Sequence, residues 1–356
     1  MRVDKINEFK SLAVESAIET ILQEHPELRV LWEHLAELYL EPVINGVNPV
    51  SHVYFEAMAE AQITGEDPPE VGEAVARLMQ QGFSRHAARA AVAALLIPHF
   101  LAVLRDKKPF DREAYVRRLR VLGKIKRIPR RNQPCFCGSG QKYKHCCGPL
   151  GSIMTPSRLA GRLVLGYGEY AGPEELAELP PDDPLLLLEN RAHVATFLTR
   201  NGLAEETWAV LTENLALARE FKEGRYLKKA LRDLLRANFE FEMELGGRGL
   251  PVVEELLAMA VGEEERRELL CDKADLLAAA GLPDEAEALY HEVMRTMPHW
   301  HFGRYRYALF LMIDRREEAM AVLRELVEAK DRIDEETYRE ARGMLEDMLM
   351  DPYYQR

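Results

Sequence analysis

The sequence predicts an all-α protein built from an N-terminal helical domain, a small cysteine-rich knuckle and a C-terminal array of helices. Apolar residues recur at spacings of three and four both before residue 123 and after residue 185, which is the period of helices with one buried face. The alternation of apolar and polar residues that half-buried strands require is absent. With 356 residues, of which 47% are hydrophobic, the chain is long enough for two or three domains that each bury a core.

From the sequence we expect neither a membrane-spanning segment nor a secretion signal. The longest apolar run, residues 90–104, is interrupted by Pro98 and His99 and is too short to cross a bilayer. The N-terminal MRVDKINEFK lacks the apolar stretch of a signal peptide. We therefore predict a cytoplasmic protein, in which four cysteines within thirteen positions indicate metal thiolates rather than disulfides. The fifth cysteine, Cys271, lies in a predicted helix and is expected in the core.

Residues 1–123 form the predicted N-terminal domain. Asn48 and Pro49 mark a helix start, because Asn caps a helix and Pro suits its first position, and Ser84 marks another. A turn is predicted between them at residues 65–69. The helical period is clearest in two groups of apolar residues, Ile18, Ile21 and Leu22, and Leu31, Leu35 and Leu38.

Three short segments of this domain are similar in sequence to a known family. They are GVNPVSH at residues 46–52, the acidic turn with paired prolines at residues 67–69, and RHAA at residues 85–88. Together they resemble the helical domain of an uncharacterised bacterial family over residues 20–104. The resemblance implies a helical fold and brings no known activity.

The net charge of −12 hides a sharp internal contrast. Residues 105–145 contain fourteen Lys or Arg against three acidic residues, whereas residues 1–104 carry −8 and residues 146–356 carry −15. Such a basic segment is typical of a surface for nucleic acid, a ribosome or an acidic protein. The alternative is that it neutralises the acidic blocks on either side.

Residues 124–150 are predicted to be a basic linker followed by a metal-binding knuckle. The linker, KIKRIPRRN at residues 124–132, is polar and contains Pro129. Structural zinc requires four soft ligands in a tetrahedron, with metal–sulfur distances of about 2.3 Å. Two close pairs of thiols supply them, and glycines at 138 and 140 allow the chain to reverse between the pairs. So short a segment cannot bury a core, so the metal must supply much of its folding free energy.

The string RNQPCFCGSGQKYKHCCG at residues 131–148 resembles the SEC-C motif, the metal-binding tail of the bacterial preprotein-translocating ATPase SecA and of many other bacterial proteins. Phe136 and Gln141 depart from the usual Pro and Lys, but neither is a ligand position. The resemblance implies Zn²⁺ and a protein partner, since family members bind the export chaperone SecB and the SecA tail has been linked to ribosomes and acidic lipid. The implied ligands are Cys135, Cys137, Cys146 and Cys147.

Other roles for the cysteines stay open. His145 can replace Cys146 or Cys147 as a ligand, and iron can take the place of zinc in a four-thiolate site. A redox-active pair is a further alternative. A disulfide between the adjacent Cys146 and Cys147 is strained, however, and four thiolates on one metal leave no open position for catalysis.

Basic and aromatic residues form a predicted partner-binding tip on the knuckle. An aromatic ring flanked by cations suits an acidic protein groove or a nucleic-acid backbone with one stacked base, and the lack of an aromatic stripe favours protein. The alternative for Tyr143 is that its ring only packs across the metal site. The tip comprises Arg130, Arg131, Lys142, Tyr143, Lys144 and His145.

The C-terminal part is predicted as a connecting helix and Pro-rich linker over residues 151–184, followed by helical repeats over residues 185–356. Small, turn and aromatic residues recur here, and the segment from Ala280 to Tyr290 is echoed 79 residues earlier. The pattern resembles the tetratricopeptide repeat and implies an α-solenoid whose concave face binds a peptide or helix, with residues 335–350 as a capping helix. The alternative is an irregular helical bundle. The diagnostic positions are Ala274, Leu277, Gly281, Ala286, Tyr290 and Pro298.

A weaker candidate site lies in the N-terminal domain. His52 and Glu56 are four residues apart on one helical face, and His86 and His99 lie on later helices. Such a cluster can bind a metal or act as acid and base, although His52 and His86 also suit the polar first turn of a helix. No nucleophile elbow, phosphate-binding glycine loop or dinucleotide motif occurs in the sequence.

The sequence therefore predicts a zinc-binding adaptor without enzymatic activity, connected with protein export, chaperones or ribosomes. In the alternative, the N-terminal domain is an enzyme or a second metal-centred site with His52, Glu56 and His86, and the knuckle is its docking accessory. A third interpretation is RNA or ribosome binding through residues 105–131. The oligomeric state and the identity of the partner do not follow from the sequence.

Overall fold

The computed structural model describes residues 12–40, 48–125, 127–148 and 183–350, apart from the side chains of residues 101, 104 and 105. Helices make up 76% of the structure, and the described residues contain fifteen helices of eight or more residues and no strand. The all-α prediction is confirmed. The contacts divide the chain into two units, residues 1–206 and 207–356.

The first unit contains seven described helices. Asn48 begins α3, as predicted, because its side chain accepts a hydrogen bond from the Ser51 amide at 3.0 Å. Ser84 begins α5 in the same way, through the Ala87 amide at 3.1 Å. The helices are α1 (Leu12–Glu24), α2 (Pro26–Glu33), α3 (Pro49–Gly65), α4 (Glu70–Gln80), α5 (Arg85–Asp106), α6 (Arg112–Val121) and α7 (Pro184–Arg200).

Helix α5 lies at the centre of this unit and packs against α3, α4 and α6, while α1 packs against α3. Its alanines, among them Ala88 and Ala91, are fully buried and allow the neighbouring helices to approach closely. The chain continues helically through Pro98. No helix among the described residues has both the length and the apolar character needed to cross a membrane.

One helix is shorter than the sequence predicted. The apolar period of Leu31, Leu35 and Leu38 predicts a helix through residue 38, but α2 ends at Glu33 and residues 34–37 form turns. At the end of α2, the Nδ1 atom of His34 lies 3.0 Å from the Val30 carbonyl oxygen. The connecting helix expected within residues 151–184 lies outside the described residues, as does most of the Pro-rich linker.

The end of α6 is fixed to α4 just before the knuckle. The Arg77 guanidinium donates to the carbonyls of Leu119 and Leu122 at 2.7 and 2.8 Å. Gly123 follows at φ +76°, where a Cβ atom would lie 2.9 Å from the Leu78 side chain. Ile125 is then buried against the core of the helical domain. The knuckle is therefore attached to a rigid helix pair at its N-terminal end.

The second unit is a series of helices that, from Gly224–Glu240 onward, pack against their neighbours in the chain. The division between the units falls after Glu206, within the helix Ala204–Ala218, so α7 belongs to the first unit. The domain boundaries inferred from the sequence stay predictions. A single helical turn, Glu242–Leu245, lies between α9 and α10. The helices are α8 (Ala204–Ala218), α9 (Gly224–Glu240), α10 (Leu250–Met259), α11 (Glu263–Ala279), α12 (Pro283–Thr296), α13 (His301–Leu311), α14 (Arg316–Glu328) and α15 (Glu335–Met350).

The positions singled out for the repeat lie where helices meet. Ala274 and Ala286 are fully buried, and Gly281 turns the chain between α11 and α12 at φ +79°. The Tyr290 ring lies 5.7 Å from that of Tyr307 on α13. Cys271 is buried in the same core, as expected. Assignment of this series to the tetratricopeptide class, with α15 as its cap, stays a prediction.

Candidate metal centre

The backbone of the knuckle brings its two cysteine pairs to the same place. Cys135 donates its amide hydrogen to the Gln141 carbonyl at 2.8 Å, and Tyr143 donates to the Gln133 carbonyl at 2.8 Å. Between these bonds the chain reverses at Gly138 and Gly140, whose φ values are +77° and +74°. These are the positive φ angles that the sequence predicted for the turn.

The four sulfur atoms have the spacing of a tetrahedral site. All four lie within 4.8 Å of one another, and the Cys137 Sγ lies 3.5 Å from that of Cys135 and 3.4 Å from that of Cys146. The Cys146 and Cys147 Sγ atoms are 3.9 Å apart. A metal–sulfur distance of about 2.3 Å requires sulfur–sulfur distances of about 3.8 Å, so these residues fit a metal ion. Because cysteines supply all four positions, a metal ion bound here would have no open coordination position.

The surroundings of the thiols differ. Burial raises the pKa of Cys147, which is fully buried, and also that of Cys146. Burial opposes ionisation of Cys137 as well, but hydrogen bonds from Ser139 and from the neighbouring thiols outweigh it and lower its pKa to about 7. A bound divalent cation favours the thiolate form of all four.

Tyr143 packs inside the knuckle. Its side chain is 7% exposed, and its ring lies 5.7 Å from that of Phe136. Phe136 and Val121, at the end of α6, both pack against the buried cluster of the knuckle. That Tyr143 contributes to a partner-binding tip stays a prediction, and the burial of its side chain favours the alternative given for it. The alternative, packing across the metal site, describes its position.

The basic residues of the tip are more accessible. Arg130, Arg131, Lys142 and His145 are exposed, and Lys144 is half-buried. Part of the preceding basic segment is already paired within the domain: Arg120 contacts Glu70 at 2.7 Å, and Arg117 contacts Glu113 at 2.8 Å. Arg130, Arg131 and Lys142 therefore remain as exposed cations on the knuckle.

The second candidate cluster also assembles in the fold. His52 Nε2 lies 3.5 Å from Glu56 Oε1, and His86 Nε2 lies 4.0 Å from the same oxygen. His99 does not join them; it lies against Phe110 and accepts a hydrogen bond from Arg118 at 2.6 Å.

Sequence reasoning missed His25 and Arg89 in this cluster. The His25 ring lies between those of His52 and His86, with centroid distances of 5.0 and 4.8 Å. The available signal was the His25-Pro26-Glu27 string at the start of α2, where a histidine and a carboxylate flank the first helical position.

Arg89 holds the carboxylates of this cluster. It is fully buried and donates to Glu24 at 2.9 and 2.6 Å and to Glu56 at 3.0 and 2.6 Å. Burial alone would raise the pKa of Glu56, but the charges of His52 and Arg89 lower it to about 2. Burial lowers the pKa of His52 to about 4, whereas Glu27 outweighs burial at His25 and raises its pKa. Glu56 is therefore an anion throughout the physiological range.

The fold and the sulfur geometry define a helical protein with a four-cysteine metal centre, and comparison with known families agrees. The chain carries a SEC-C motif over residues 131–149, and residues 3–121 match a domain of unknown function, DUF1841. The resemblance to the SEC-C motif and that of the N-terminal domain to an uncharacterised family are confirmed, whereas the tetratricopeptide resemblance stays a prediction.

Similarity to curated proteins is confined to short segments. The chain is 69% identical over 26 residues to the protein translocase subunit SecA of Nitratiruptor sp., and 85% identical over 20 residues to that of Dichelobacter nodosus. It is 67% identical over 21 residues to a UPF0225 protein of Haemophilus influenzae. These matches cover 6–7% of this chain and 3%, 2% and 13% of the relatives, so they concern a short segment in each. No solved structure matches the chain significantly.

Proposed function

We propose that this chain is a zinc-dependent adaptor, without catalytic activity, that binds an acidic protein surface through its knuckle. The observation that supports this most directly is the closed four-sulfur site with exposed cations around it. Four thiolates leave the metal no open position for substrate, so the ion serves to fold the knuckle. Zinc is the ion we expect, because a tetrahedral four-thiolate site suits it, with iron as the alternative.

The class of partner follows from charge. Arg130, Arg131 and Lys142 are exposed on the knuckle, whereas residues 146–356 carry −15. Charge complementarity accelerates encounter and selects partners of opposite sign. Since the motif is shared with SecA, the export chaperone SecB is the first candidate for the acidic partner, and the ribosome is the second. The helices of the second unit form a tetratricopeptide-like array in this proposal and hold a basic or amphipathic peptide.

Binding of purified SecB to the full-length chain, measured by biolayer interferometry, tests the proposal. The triple variant Arg130→Glu, Arg131→Glu, Lys142→Glu keeps every cysteine and should weaken binding at least about tenfold, because like charges repel across an interface. The Cys135→Ser, Cys137→Ser variant should weaken it further by unfolding the knuckle.

A matched control reverses three exposed charges in the second unit, at Lys222, Arg295 and Arg324. This control should bind as the wild type does. Equal binding by all of these proteins contradicts the role of the knuckle. Binding to purified ribosomes but not to SecB, with the same sensitivity to the triple variant, would change the partner and keep the mechanism.

A further inference from the structure

Three residues from separate elements direct donor atoms to one point inside the N-terminal domain. His25 lies between α1 and α2, Glu56 lies on α3, and His86 lies in the first turn of α5. One donor atom from each lies within 4.8 Å of the other two. These elements are distant in sequence, so the packing of the helices creates the cluster.

A carboxylate orients each of the two histidines from the far side of its ring. His25 Nδ1 lies 3.4 Å from Glu27 Oε1, and His86 Nδ1 lies 3.2 Å from Glu24 Oε2. When a carboxylate accepts the Nδ1 hydrogen, the lone pair is on Nε2. Both Nε2 atoms lie 4.0 Å from an oxygen of Glu56. Histidines that bind metals have this arrangement, with a carboxylate behind the ring and the ion in front.

The two oxygens of Glu56 have different surroundings. Oε2 accepts both hydrogen bonds from Arg89, whereas buried Oε1 has no hydrogen-bond donor among the described residues. The Nε2 atom of His52 lies 3.5 Å from Oε1 and 3.4 Å from His25 Nε2. Glu56 is only 1% exposed, and leaving an anionic oxygen buried without a partner is costly. A cation between this oxygen and the imidazole nitrogens removes that cost.

The charges around the cluster favour a divalent ion. Arg89 is bound by carboxylates on two sides, so its positive charge is compensated within the network. Four carboxylates face two guanidinium groups here, which leaves two negative charges in excess when the histidines are neutral. The groups are Glu24, Glu27, Glu56 and Glu60 with Arg85 and Arg89.

We propose that this cluster is a second metal site, which binds zinc or ferrous iron through His25, Glu56 and His86, with His52 within reach as a fourth donor. Imidazole nitrogens select such ions over Mg²⁺ and Ca²⁺, which prefer oxygen ligands. Tetrahedral coordination places nitrogen and oxygen donors about 3.4 Å apart, so donor atoms that now lie within 4.8 Å of one another approach by at most about 1.4 Å around the ion.

An ion in this site connects three parts of the domain: the turn between α1 and α2 through His25, helix α3 through Glu56, and helix α5 through His86. The cavity of about 450 Å³ in this unit is lined by other residues, among them Met58, Leu96 and Phe100. A buried ion away from that cavity ties helices together rather than meeting a substrate.

Metal content per full-length chain, measured by inductively coupled plasma mass spectrometry, tests the site. The wild-type protein should contain two equivalents. The His25→Gln, His86→Gln variant should keep one, and the Cys135→Ser, Cys137→Ser variant should keep the other. His99→Gln is the matched control, because this buried histidine of the same helical domain lies outside the cluster, and it should keep both.

A wild-type protein with a single equivalent, lost with the cysteines, overturns the second site and leaves the adaptor proposal intact. Should the double histidine variant fail to fold, Co²⁺ titration of the metal-free wild type gives the answer. Two binding events, of which only one produces sulfur-to-cobalt charge-transfer absorption, are expected. One event with that absorption and no other overturns the proposal.

Discussion

Tyr143 and Lys142 are adjacent in the sequence and belong to the same motif, but one side chain is buried and the other is exposed. This difference in exposure gives the two residues different roles. Lys142 is exposed, whereas the Tyr143 ring is 7% exposed and packs on Phe136. A buried ring stabilises the knuckle, and an exposed ammonium group remains available to a partner. Substitution at the two positions is therefore expected to affect stability in one case and binding in the other.

The environment of His99 gives a stability effect that depends on pH. Its ring is 7% exposed, and its Nε2 accepts a hydrogen bond from Arg118, so protonation removes an acceptor and places two cations together. Burial, followed by the charge of Arg118, lowers the pKa of His99 to about 4, while nearby Asp111 acts in the opposite direction. The neutral ring is the form that suits the fold.

Acidification should therefore destabilise the protein through His99. In the unfolded chain this histidine takes up a proton near pH 6.5, but in the folded chain only near pH 4, so its contribution is complete above about pH 6.5 and is lost as the pH falls towards 4. We expect the wild type to lose about 1 kcal/mol more than His99→Gln between about pH 7.5 and 5, with allowance for screening by solvent. Urea unfolding followed by circular dichroism measures the difference.

Phe110→Leu provides the comparison for this experiment. The Phe110 ring lies 5.2 Å from that of His99 and carries no ionisable group, so its loss should lower the free energy of unfolding equally at both pH values. Identical pH profiles for the wild type and His99→Gln would show that His99 titrates normally in the fold, contrary to the prediction.

The knuckle is an element whose structure depends on its ligands rather than on a core. Its buried residues are Cys135, Cys137, Cys147 and Tyr143. Partly buried residues pack against them, namely Val121, Ile128, Phe136 and Cys146. So small an apolar cluster cannot offset the conformational entropy of ordering the segment. The metal therefore determines whether the knuckle folds.

Removing the metal from the knuckle should unfold residues 131–148 and leave the helices intact. Hydrogen–deuterium exchange, read by mass spectrometry after chelation, should show amides such as Cys135 and Tyr143 exchanging like an unstructured peptide. Exchange in α11–α15 should be unchanged, and added zinc should restore protection. Persistent protection of the knuckle in Cys135→Ser, Cys137→Ser would mean that packing on Val121 and Phe136 suffices without the ion.

For the whole molecule, the distribution of charge argues against nucleic acid as the main partner. The chain carries −12 in total, and arginines such as Arg117 and Arg120 are paired within the domain. Because part of the basic segment is paired in this way, the positive surface that it offers is smaller than its fourteen basic residues suggest.

We expect RNA binding to be weak and dependent on salt. Fluorescence anisotropy with a single-stranded RNA should give a dissociation constant above about 10 µM at about 150 mM salt, and the affinity should fall further as salt is raised because phosphate contacts release counterions. Arg127→Gln, Arg130→Gln, Arg131→Gln should remove what binding remains. Submicromolar binding that is insensitive to salt would contradict this expectation.

Local features were predictable where a residue acts within its own segment. Residue type alone predicts the helix caps at Asn48 and Ser84, because both side chains can accept a hydrogen bond from a backbone amide. It also predicts the positive φ angles of Gly138 and Gly140, because glycine has no Cβ atom. The end of α2 was not predictable in this way, because the apolar period continues past Glu33 while the helix does not. Periodicity reports which side of a segment is apolar, but it does not report where the segment ends.

The cysteine site and the proposed second metal site show what the sequence by itself determined and what only the tertiary structure decided. The cysteines of the knuckle lie within thirteen residues, so their spacing alone is enough to bring four sulfurs together and to identify the site. His25, Glu56 and His86 are spread over three elements, and only the packing of α1, α3 and α5 brings their donor atoms within 4.8 Å. Contacts within a short loop are set by local geometry, whereas contacts between distant helices depend on how a whole core packs.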